Sequence, residues 1–281
     1  MKDVAALDAD TLRAFPLPCL SEDGDKEDRG RALIVGGSAR VPGAAILAGM
    51  AALRAGAGKL QIVTDPAVAI AIGVAVPEAA VIAGSAIPHV REAQSVTIGC
   101  GMAHGPSFDR QLAALLDCGA DVPLILDATV LGSLADVAQK VRAWRGGVAL
   151  LPHAREMARL LECAAEEVEI DPLDAASRAA KRYNAVALVK GRFSFVAAPD
   201  GRAFRFEGGG IGLATSGSGD VLAGIVGGLA ARGADVLTAT LWGVWLHGEA
   251  GRILTKKVGR VGFLARELPD LVPGLLGRPS P

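Results

Sequence analysis

The chain has 281 residues, and 51% of them are hydrophobic, so it is long enough to bury the core of one large α/β domain. Its formal net charge is −1, with charged residues spread along the chain, which excludes the basic surface typical of proteins that bind nucleic acid. We therefore expect its partners to be small molecules or further copies of the same chain.

The cysteines and histidines show no spacing that predicts a metal cluster. The four cysteines contain no CxxC pair and no Cys/His group, so we expect reduced thiols. We interpret His89, His104 and His247 as structural or solvated. The longest apolar runs, such as residues 67–76, stop short of the ~20 residues of a membrane-spanning helix. The first residues lack the features of a signal peptide, so we predict a cytoplasmic protein with no membrane segment.

The predicted elements begin after a charged segment. Residues 1–30 are predicted to form an exposed lead-in, because residues 20–30 are strongly charged and show no apolar periodicity. From residue 31 onward, short apolar runs alternate with longer alanine-rich stretches, which is typical of a mostly parallel sheet covered by helices on both faces. We therefore predict a single α/β domain over residues 31–281.

The order of these elements follows the apolar pattern along the chain. The predicted strands are Ala32–Val35, Leu60–Val63, Ser95–Ile98, Leu124–Leu126, Val148–Leu151, Ala187–Val189 and Phe193–Ala197. The predicted helices are Ala44–Arg54, Ser107–Leu116, Ser133–Arg142, Ala154–Leu161, Pro172–Tyr183, Asp220–Arg232 and Val236–Leu254. Glycine clusters fall where strands lead into helices, and ligands of open α/β sheets usually lie at such turns.

The strongest functional signal is the sequence ATSGSGD at residues 214–220, which is followed at once by an apolar helical pattern. Small residues let the backbone approach a ligand, and the free N–H groups at a helix start form an anion site. Asp220 would lie beside a bound phosphate, where its carboxylate can accept a proton from a hydroxyl that attacks phosphorus. The alternative is a glycine-rich turn that Asp220 merely caps.

The run GLATSGSGDVLAG at residues 212–224 resembles the GLATGGTGDVLAG signature of the NAD(P)H-hydrate dehydratases, a branch of the ribokinase-like superfamily. Further segments are similar to the family in order and spacing: GGS at 36–38, PGAA at 42–45, ALRAGAG at 52–58, GCG at 99–101, LDA at 126–128, PH at 152–153, KG at 190–191 and HG at 247–248. The resemblance covers roughly residues 26–276 and implies a ribokinase-like three-layer sandwich.

The resemblance also implies an activity and the residues that carry it. It implies an enzyme that uses ADP or ATP, with Mg²⁺, to dehydrate the hydrated form of NADH or NADPH, and it implies a homo-oligomer. The implied catalytic residues are the base Asp220 and the phosphoryl-binding residues Gly217, Ser218 and Gly219. The implied nucleotide site consists of Lys190, Gly191, Arg192, Phe193, Ser194 and Gly219. The implied site for the hydrated dinucleotide consists of Ala44, Gly101, His153 and Asp220.

The charged residues of these segments also have physical interpretations of their own. Lys190 can neutralise phosphate charge and Gly191 allows close backbone approach, although a lysine at a strand end often points to water. His153 and Glu156, three residues apart at a strand-to-helix turn, can share one face and contact one ligand. The resemblance assigns His153 to the substrate and Glu156 to water around Mg²⁺. Alternatively, Glu156 simply stabilises the positive end of its helix.

Several positions depart from the family pattern. Cys100 stands in place of the proline of a family GPG sequence. Arg155 stands in place of a glycine and could contact a substrate phosphate or narrow the site. Residues 25–30 keep only the lysine and the final glycine of the family lead-in, and residues 206–210 lack its asparagine, which removes possible ribose or base contacts.

Two other functions therefore remain open. A kinase for a vitamin precursor or a sugar would keep the GSGD core but release a stable phosphorylated product, and the ordered GGS, PGAA and ALRAGAG segments argue against it. A nucleotide sensor without catalysis fits the altered segments at residues 25–30 and 206–210, and the retained Asp220 argues against it.

Overall fold

The computed structural model describes residues 4–19, 21, 23–103 and 105–277, apart from the side chains of residues 106 and 107. One ten-stranded sheet forms its centre. The strands are β1 (Ala5–Ala6), β2 (Arg31–Val35), β3 (Lys59–Thr64), β4 (Ala79–Ala83), β5 (Ser95–Ile98), β6 (Leu124–Leu126), β7 (Val148–Leu150), β8 (Val186–Val189), β9 (Phe193–Ala197) and β10 (Ala203–Glu207). Their spatial order is β1-β10-β9-β8-β7-β6-β5-β2-β3-β4.

The sheet is mostly parallel, as predicted, and only β9 runs antiparallel to its neighbours β8 and β10. Strand β2 pairs with β3 on one side and with β5 on the other. The chain therefore moves outward through β3 and β4 and then returns to the other side of β2. Such a reversal of strand order opens a crevice beyond the carboxyl ends of β2 and β5. Ligands of open α/β sheets bind in such crevices.

Helices cover both faces of the sheet. They are α1 (Ala9–Leu12), α2 (Gly43–Arg54), α3 (Ala69–Ala75), α4 (Ile87–Val90), α5 (Pro106–Leu116), α6 (Ala138–Arg142), α7 (Ala154–Leu161), α8 (Ala165–Ile170), α9 (Pro172–Tyr183), α10 (Ser218–Ala231), α11 (Val236–Lys257) and α12 (Val272–Leu276). Side chains of β2 alternate between two cores, since Ala32 and Ile34 pack with α2, α10 and α11, whereas Leu33 and Val35 pack with α5, α7 and α9. Within the described ranges, none of the helices has the length and apolarity needed to cross a bilayer.

The predicted strands are confirmed, and their ends agree with the structure within one residue. The predicted helix over Ser133–Arg142 is wrong in its first half, where a 3₁₀ turn over Ala128–Ser133 is followed by further turns before α6 begins. The apolar spacing that indicated a helix is satisfied there by turns that bury Leu134. The prediction also missed β1, β4 and β10 and the short helices α1, α3, α4, α8 and α12, which offer few periods of any pattern.

The expected exposed lead-in over residues 1–30 is wrong for its first part. Strand β1 pairs in parallel with β10, and Leu7 and Leu12 are only 3% and 2% exposed. The indole N–H of Trp242 on α11 donates a hydrogen bond to the carbonyl oxygen of Phe15 at 2.7 Å, which ties this segment to the core. Residues 23–29 are exposed as expected, whereas residues 1–3, 20 and 22 lie outside the described residues.

Helix α10 lies unusually close to α2 because small residues face each other. A Cβ atom on Gly224 would stand 2.1 Å from the carbonyl oxygen of Ala48, so only glycine permits this approach. The hydroxyl of Ser95, at the start of β5, donates to the carbonyl oxygen of Gly227 at 2.7 Å. At the other end of the helix, a Cβ atom on Gly219 would stand 3.4 Å from the Nζ atom of Lys190, just beyond the end of β8. Helix α10 thus runs antiparallel to β5, with its amino end at the carboxyl edge of the sheet.

We predict that Gly224→Ala destabilises the protein, because the added methyl group forces α10 and α2 apart. Overpacking of this kind costs about 1–3 kcal/mol, which urea denaturation followed by circular dichroism would measure. Gly132→Ala is the matched control, since no heavy atom lies within 4 Å of its added Cβ. Equal stability of the two variants would contradict the close packing of these helices.

Candidate active site at the carboxyl edge of the sheet

The candidate site is assembled from segments that follow neighbouring strands. Cys100 follows β5, Asp127 follows β6, His153 follows β7 and Lys190 follows β8, while Asp220 lies in the first turn of α10. Because β5 to β8 are parallel, their carboxyl ends share one edge of the sheet. The strand order therefore brings together residues that are far apart in sequence.

Lys190 forms a partly buried ion pair with Asp127. The Lys190 Nζ atom lies 2.7 Å from Asp127 Oδ1, and the two side chains are 21% and 2% exposed. Desolvation lowers the pKa of Lys190, but the negative charges of Asp127 and Glu156 outweigh it, so the pKa is raised and the amine stays charged. The alternative of a lysine that simply points to water is therefore wrong.

The same ion pair stands beside the start of α10. A Cβ atom on Gly219 would be 3.4 Å from Lys190 Nζ and 3.6 Å from the Oδ2 atom of Asp127. The cap position of α10 is Gly217, with no capping side chain among the described residues, and Asp220 is the third residue of the helix. The presence of an aspartate at position 220 is therefore not explained by helix capping. The first turn of α10 thus lies beside a charged lysine, which suits a site for an anion.

The side chain of Ser218, the first residue of α10, forms a hydrogen bond with His247 on α11. The hydroxyl of Ser218 lies 2.9 Å from Nε2 of His247, and both residues are buried. Burial lowers the pKa of His247 to about 4, so the ring is neutral at pH 7. His247 thus has the structural position that the sequence suggested, whereas His104 lies outside the described residues.

His153 and Glu156 form the amino-terminal cap of α7. The Nδ1 atom of His153 accepts a hydrogen bond from the Glu156 amide, and Oε2 of Glu156 accepts one from the His153 amide at 2.9 Å. The cap is adjacent to Lys190, whose amide donates to the carbonyl oxygen of Pro152 at 2.9 Å. Stabilisation of the helix start by Glu156 is therefore confirmed, and its charge still reaches Lys190 and Asp220.

Asp220 has the properties of a general base. Desolvation, together with the charges of Asp127 and Glu156, raises the pKa of its carboxyl to about 6. A hydrogen bond from Cys100 and the charge of Lys190 act in the opposite direction. A carboxylate with this pKa is ionised at pH 7 yet accepts a proton far more readily than an ordinary aspartate.

The remaining predicted residues occupy two sides of this centre. Ala44, in the first turn of α2, lies against Gly101, since a Cβ atom on Gly101 would be 2.6 Å from the Ala44 Cβ. On the other side, the segment that contains Gly191, Arg192, Phe193 and Ser194 continues from Lys190 into β9. The Arg192 guanidinium lies 5.5 Å from the centre of the Phe193 ring. The structure thus brings all of the predicted positions to one edge of the sheet.

Arg155 and residues 206–210, which depart from the family pattern, lie on the surface of the protein and against α11 respectively. Arg155 is exposed in the first turn of α7. Residues 206–210 pack against α11, where the Arg252 guanidinium donates a hydrogen bond to the carbonyl oxygen of Glu207. A side chain larger than that of glycine does not fit at position 208, because a Cβ atom there would be 2.4 Å from the Arg252 guanidinium.

Two residues of the centre were not assigned a role from the sequence. Asp127 directly follows the fully buried strand β6, and a carboxylate at that point was a usable signal. The next residue, Ala128, has φ of 53°, a left-handed conformation that is uncommon outside glycine and clusters at functional sites. Cys100 had no comparable signal, because a cysteine between two glycines also suits a tight turn.

We predict that the Asp220 carboxyl titrates near pH 6, compared with about 3.9 for an ordinary aspartate. Carbon-13 NMR of aspartate carboxyl groups would measure the midpoint, and the resonance lost in Asp220→Asn would assign it. Asp127→Asn should move the midpoint to lower pH, because it removes a negative charge that opposes ionisation of Asp220. A midpoint near 4 in the unmodified protein would contradict the burial of this carboxyl.

Comparison with known proteins links this geometry to one family. The family model for NAD(P)H-hydrate dehydratase matches residues 32–273. A protein of Xanthomonas campestris pv. campestris named ADP-dependent (S)-NAD(P)H-hydrate dehydratase is 48% identical, over 98% of this chain and 97% of its own length.

Solved structures show the same fold. The crystal structure of the ADP/ATP-dependent NAD(P)H-hydrate dehydratase of Bacillus subtilis, co-crystallised with ATP/Mg²⁺, has a TM-score of 0.86 at 29% identity and covers 98% of this chain and 99% of that one. A ribokinase-like superfamily protein of Enterococcus faecalis has a TM-score of 0.84 at 24% identity over 97% of this chain and 95% of its own, which confirms the fold. By sequence and by architecture, this chain belongs to the NAD(P)H-hydrate dehydratase family.

Proposed function

We propose that this protein removes water from the hydrated form of NADH or NADPH and thereby restores the reduced cofactor, with ADP or ATP as the phosphoryl donor. The observation that carries the proposal is a half-buried carboxylate, Asp220, with a pKa of about 6, in the first turn of a helix whose start faces Lys190. The names of the similar proteins support this choice of substrate and nucleotide.

The proposed reaction has two steps. In the first, the oxygen of the ring hydroxyl attacks the terminal phosphorus, its proton passes to Asp220, and the bond from phosphorus to the nucleotide breaks. In the second, the original carbon–oxygen bond of the ring hydroxyl breaks, inorganic phosphate leaves with that oxygen, and the neighbouring ring carbon releases a proton to solvent so that the double bond forms again. Phosphorylation turns hydroxide, a poor leaving group, into phosphate, a good one.

The first turn of α10 stabilises the transferring group in this proposal. The amide groups at Gly217 and Gly219 donate to the phosphoryl oxygens, and Lys190 neutralises their charge. Ser218, whose amide already donates to the Thr215 carbonyl oxygen at 3.2 Å, shapes the turn between them. The hydrogen bond with the neutral His247 fixes the Ser218 hydroxyl, so the first turn of α10 keeps its shape when phosphate binds. Positioning and charge neutralisation are the main tasks of a phosphoryl-transfer enzyme.

The two substrates approach from opposite sides. The adenine nucleotide lies along Lys190 and the Gly191–Ser194 segment, with its base over α10 and α11. The hydrated dinucleotide lies against Ala44, Gly101 and His153. Asp220 stands between the two groups and is therefore placed to take a proton from one ligand while the other delivers phosphorus.

Mg²⁺ is expected to arrive with the nucleotide, and the acidic groups of the site suit that role. Among the described residues, no group of three or more His, Cys, Asp or Glu side chains forms a metal cage. Asp127 is engaged by Lys190, whereas the Glu156 carboxylate lies close enough to act electrostatically on both Lys190 and Asp220. Glu156 would hold the ion through water, and the ion would neutralise phosphate charge.

We also propose a cytoplasmic homo-oligomer. All four cysteines are free thiols, as is usual in a reducing compartment. Ile70 and Val74, one turn apart on α3, are 84% and 79% exposed, and such an apolar pair is suited to cover by a second copy. Light scattering on the purified protein would measure the number of copies.

A direct assay separates the proposed function from its alternatives. Purified protein is mixed with hydrated NADH, Mg²⁺ and either ADP or ATP, and the return of reduced-nicotinamide absorbance is followed. Returning absorbance supports the dehydratase. A phosphorylated product without that absorbance would instead identify a kinase, and binding without turnover would identify a sensor.

We predict that Asp220→Asn abolishes turnover while nucleotide binding is largely retained. The amide keeps the shape of the side chain but cannot take a proton, and general-base assistance contributes about 10²–10⁴-fold to kcat. Stopped assays would measure kcat, and calorimetry would measure nucleotide affinity. Turnover near that of the unmodified protein would remove Asp220 from the chemistry.

We predict that Lys190→Ala weakens nucleotide binding by about 10- to 100-fold, the usual contribution of a charge-assisted hydrogen bond, and weakens binding of the hydrated dinucleotide less. Calorimetry with each ligand alone would compare the two. Because this change leaves Asp127 buried without its partner, Lys190→Ala should also be measured in an Asp127→Asn background. Equal losses for both ligands in that background would contradict the proposed division of the site.

A further inference from the structure

Two arginines lie one turn apart on the outer face of α7. Arg155 and Arg159 are both exposed, whereas Met157, Leu160 and Leu161 on the same helix are buried. Side chains four residues apart on a helix are neighbours, with Cβ atoms about 5–6 Å apart. The outer face of α7 therefore carries two adjacent positive charges.

These charges are not neutralised by the protein around them. Among the described residues, neither guanidinium forms an ion pair or a hydrogen bond. The nearest acidic residues along α7 are engaged elsewhere. Oε2 of Glu156 accepts a hydrogen bond from the His153 amide at 2.9 Å, and the Glu162 carboxylate pairs with Arg182 at 3.1 Å.

The position of the two arginines is unfavourable for the helix itself. Arg155 lies in the first turn of α7, where the helix dipole presents partial positive charge, and a cation there destabilises a helix. Like charges four residues apart on a helix also repel each other. Folding of α7 therefore does not explain the pair, whereas an anion that binds from outside would neutralise it.

The pair begins beside the proposed site for the hydrated dinucleotide. His153, which belongs to that proposed site, stands two residues before Arg155, and two residues of chain span at most about 7 Å. The His153 side chain is 52% exposed, so a ligand can reach it. Helix α7 starts at the carboxyl edge of the sheet and runs away from it. A dinucleotide that contacts His153 and continues outward along α7 meets Arg155 first and Arg159 next.

The charge of the pair distinguishes between the phosphates of such a ligand. Each phosphate of the dinucleotide bridge is a diester with a single negative charge, whereas the 2′-phosphate of hydrated NADPH is a monoester with a charge of about −1.5 to −2 at pH 7. Guanidinium groups bind phosphate oxygens through paired donors, and arginine is a usual partner of the 2′-phosphate in proteins that bind NADP. Two guanidiniums therefore match the monoester.

We propose that Arg155, with Arg159 beside it, binds the 2′-phosphate of hydrated NADPH and makes the enzyme prefer this substrate to hydrated NADH. The proposal rests on the proposed function and deepens it, because it selects one of the two hydrated cofactors. The 2′-phosphate is remote from the nicotinamide ring that reacts, so the pair contributes to substrate binding and leaves the chemical step unchanged.

Kinetics with the two hydrated cofactors test this selection. An exposed charge-assisted hydrogen bond contributes at the lower end of the usual range, so Arg155→Ala should raise KM for hydrated NADPH about 10-fold with kcat unchanged. KM for hydrated NADH should stay the same. Arg159→Ala should have a smaller effect in the same direction, and Arg155→Lys, which keeps the charge without the paired donors, should fall between Arg155→Ala and the unmodified protein.

The matched control is Arg202→Ala. It removes an exposed arginine that pairs with Asp200 at 2.6 Å in the turn between β9 and β10, at the opposite edge of the sheet. This variant should change neither KM. Equal losses for both hydrated cofactors in Arg155→Ala would indicate a contact with the phosphates that they share and would overturn the proposal.

Binding of the intact cofactors keeps the test independent of turnover. Calorimetry with NADPH and NADH as probes isolates the 2′-phosphate, because the two differ only in that group. The unmodified protein should bind NADPH about 10-fold more tightly than NADH, and this preference should fall as salt is added and disappear in Arg155→Ala. Equal affinity for the two probes, or binding of neither, overturns the proposal. If the preference is present but neither hydrated cofactor is dehydrated, the proposed function fails and the arginine contact stands.

Stability separates this role from a structural one. Because Arg155→Ala removes an unfavourable charge from the start of α7, its urea midpoint should equal or exceed that of the unmodified protein. A lower midpoint without loss of the preference for NADPH would identify a structural residue and overturn the proposal.

Discussion

The site depends on how closely helix α10 can approach its surroundings. Because Gly224 brings the helix backbone against Ala48, the helix lies low over the sheet, and the Ser95 hydrogen bond fixes its direction along β5. Its first turn then reaches the sheet edge where the loops after β5, β6 and β8 end. A side chain at position 224 would lift the same GSGD sequence away from Lys190 and Cys100, so the composition of the helix interior controls the site at its end.

The charges of the site are arranged for a ligand that is itself highly charged. Three carboxylates, Asp127, Glu156 and Asp220, lie near one lysine, so the protein side chains alone leave the centre negative. In the proposed function, anionic phosphates therefore depend on the helix start and on cations that accompany the nucleotide. The buried Asp127 carboxylate keeps Lys190 charged and holds its amine in place.

The sequence predicted the elements whose signals are local. The apolar runs of the central strands, and the small residues before an apolar helical pattern at residues 214–220, indicate their structures without knowledge of the fold. The pair of Lys190 and Asp127 could not be predicted, because it joins residues 63 positions apart through the order of the strands. Strand β1 was missed because two residues carry no periodicity.

The short strand β1 has a consequence for how the sheet meets other molecules. It lies beside β10, whose Phe204 and Phe206 are buried, and its pairing with Phe204 and Arg205 occupies backbone groups that would otherwise form an open sheet edge. Open edges recruit strands from other chains and lead to aggregation. Two paired residues, anchored by Leu7 and by the Trp242 hydrogen bond to Phe15, thus form an edge strand too short to offer another chain a long row of free backbone groups.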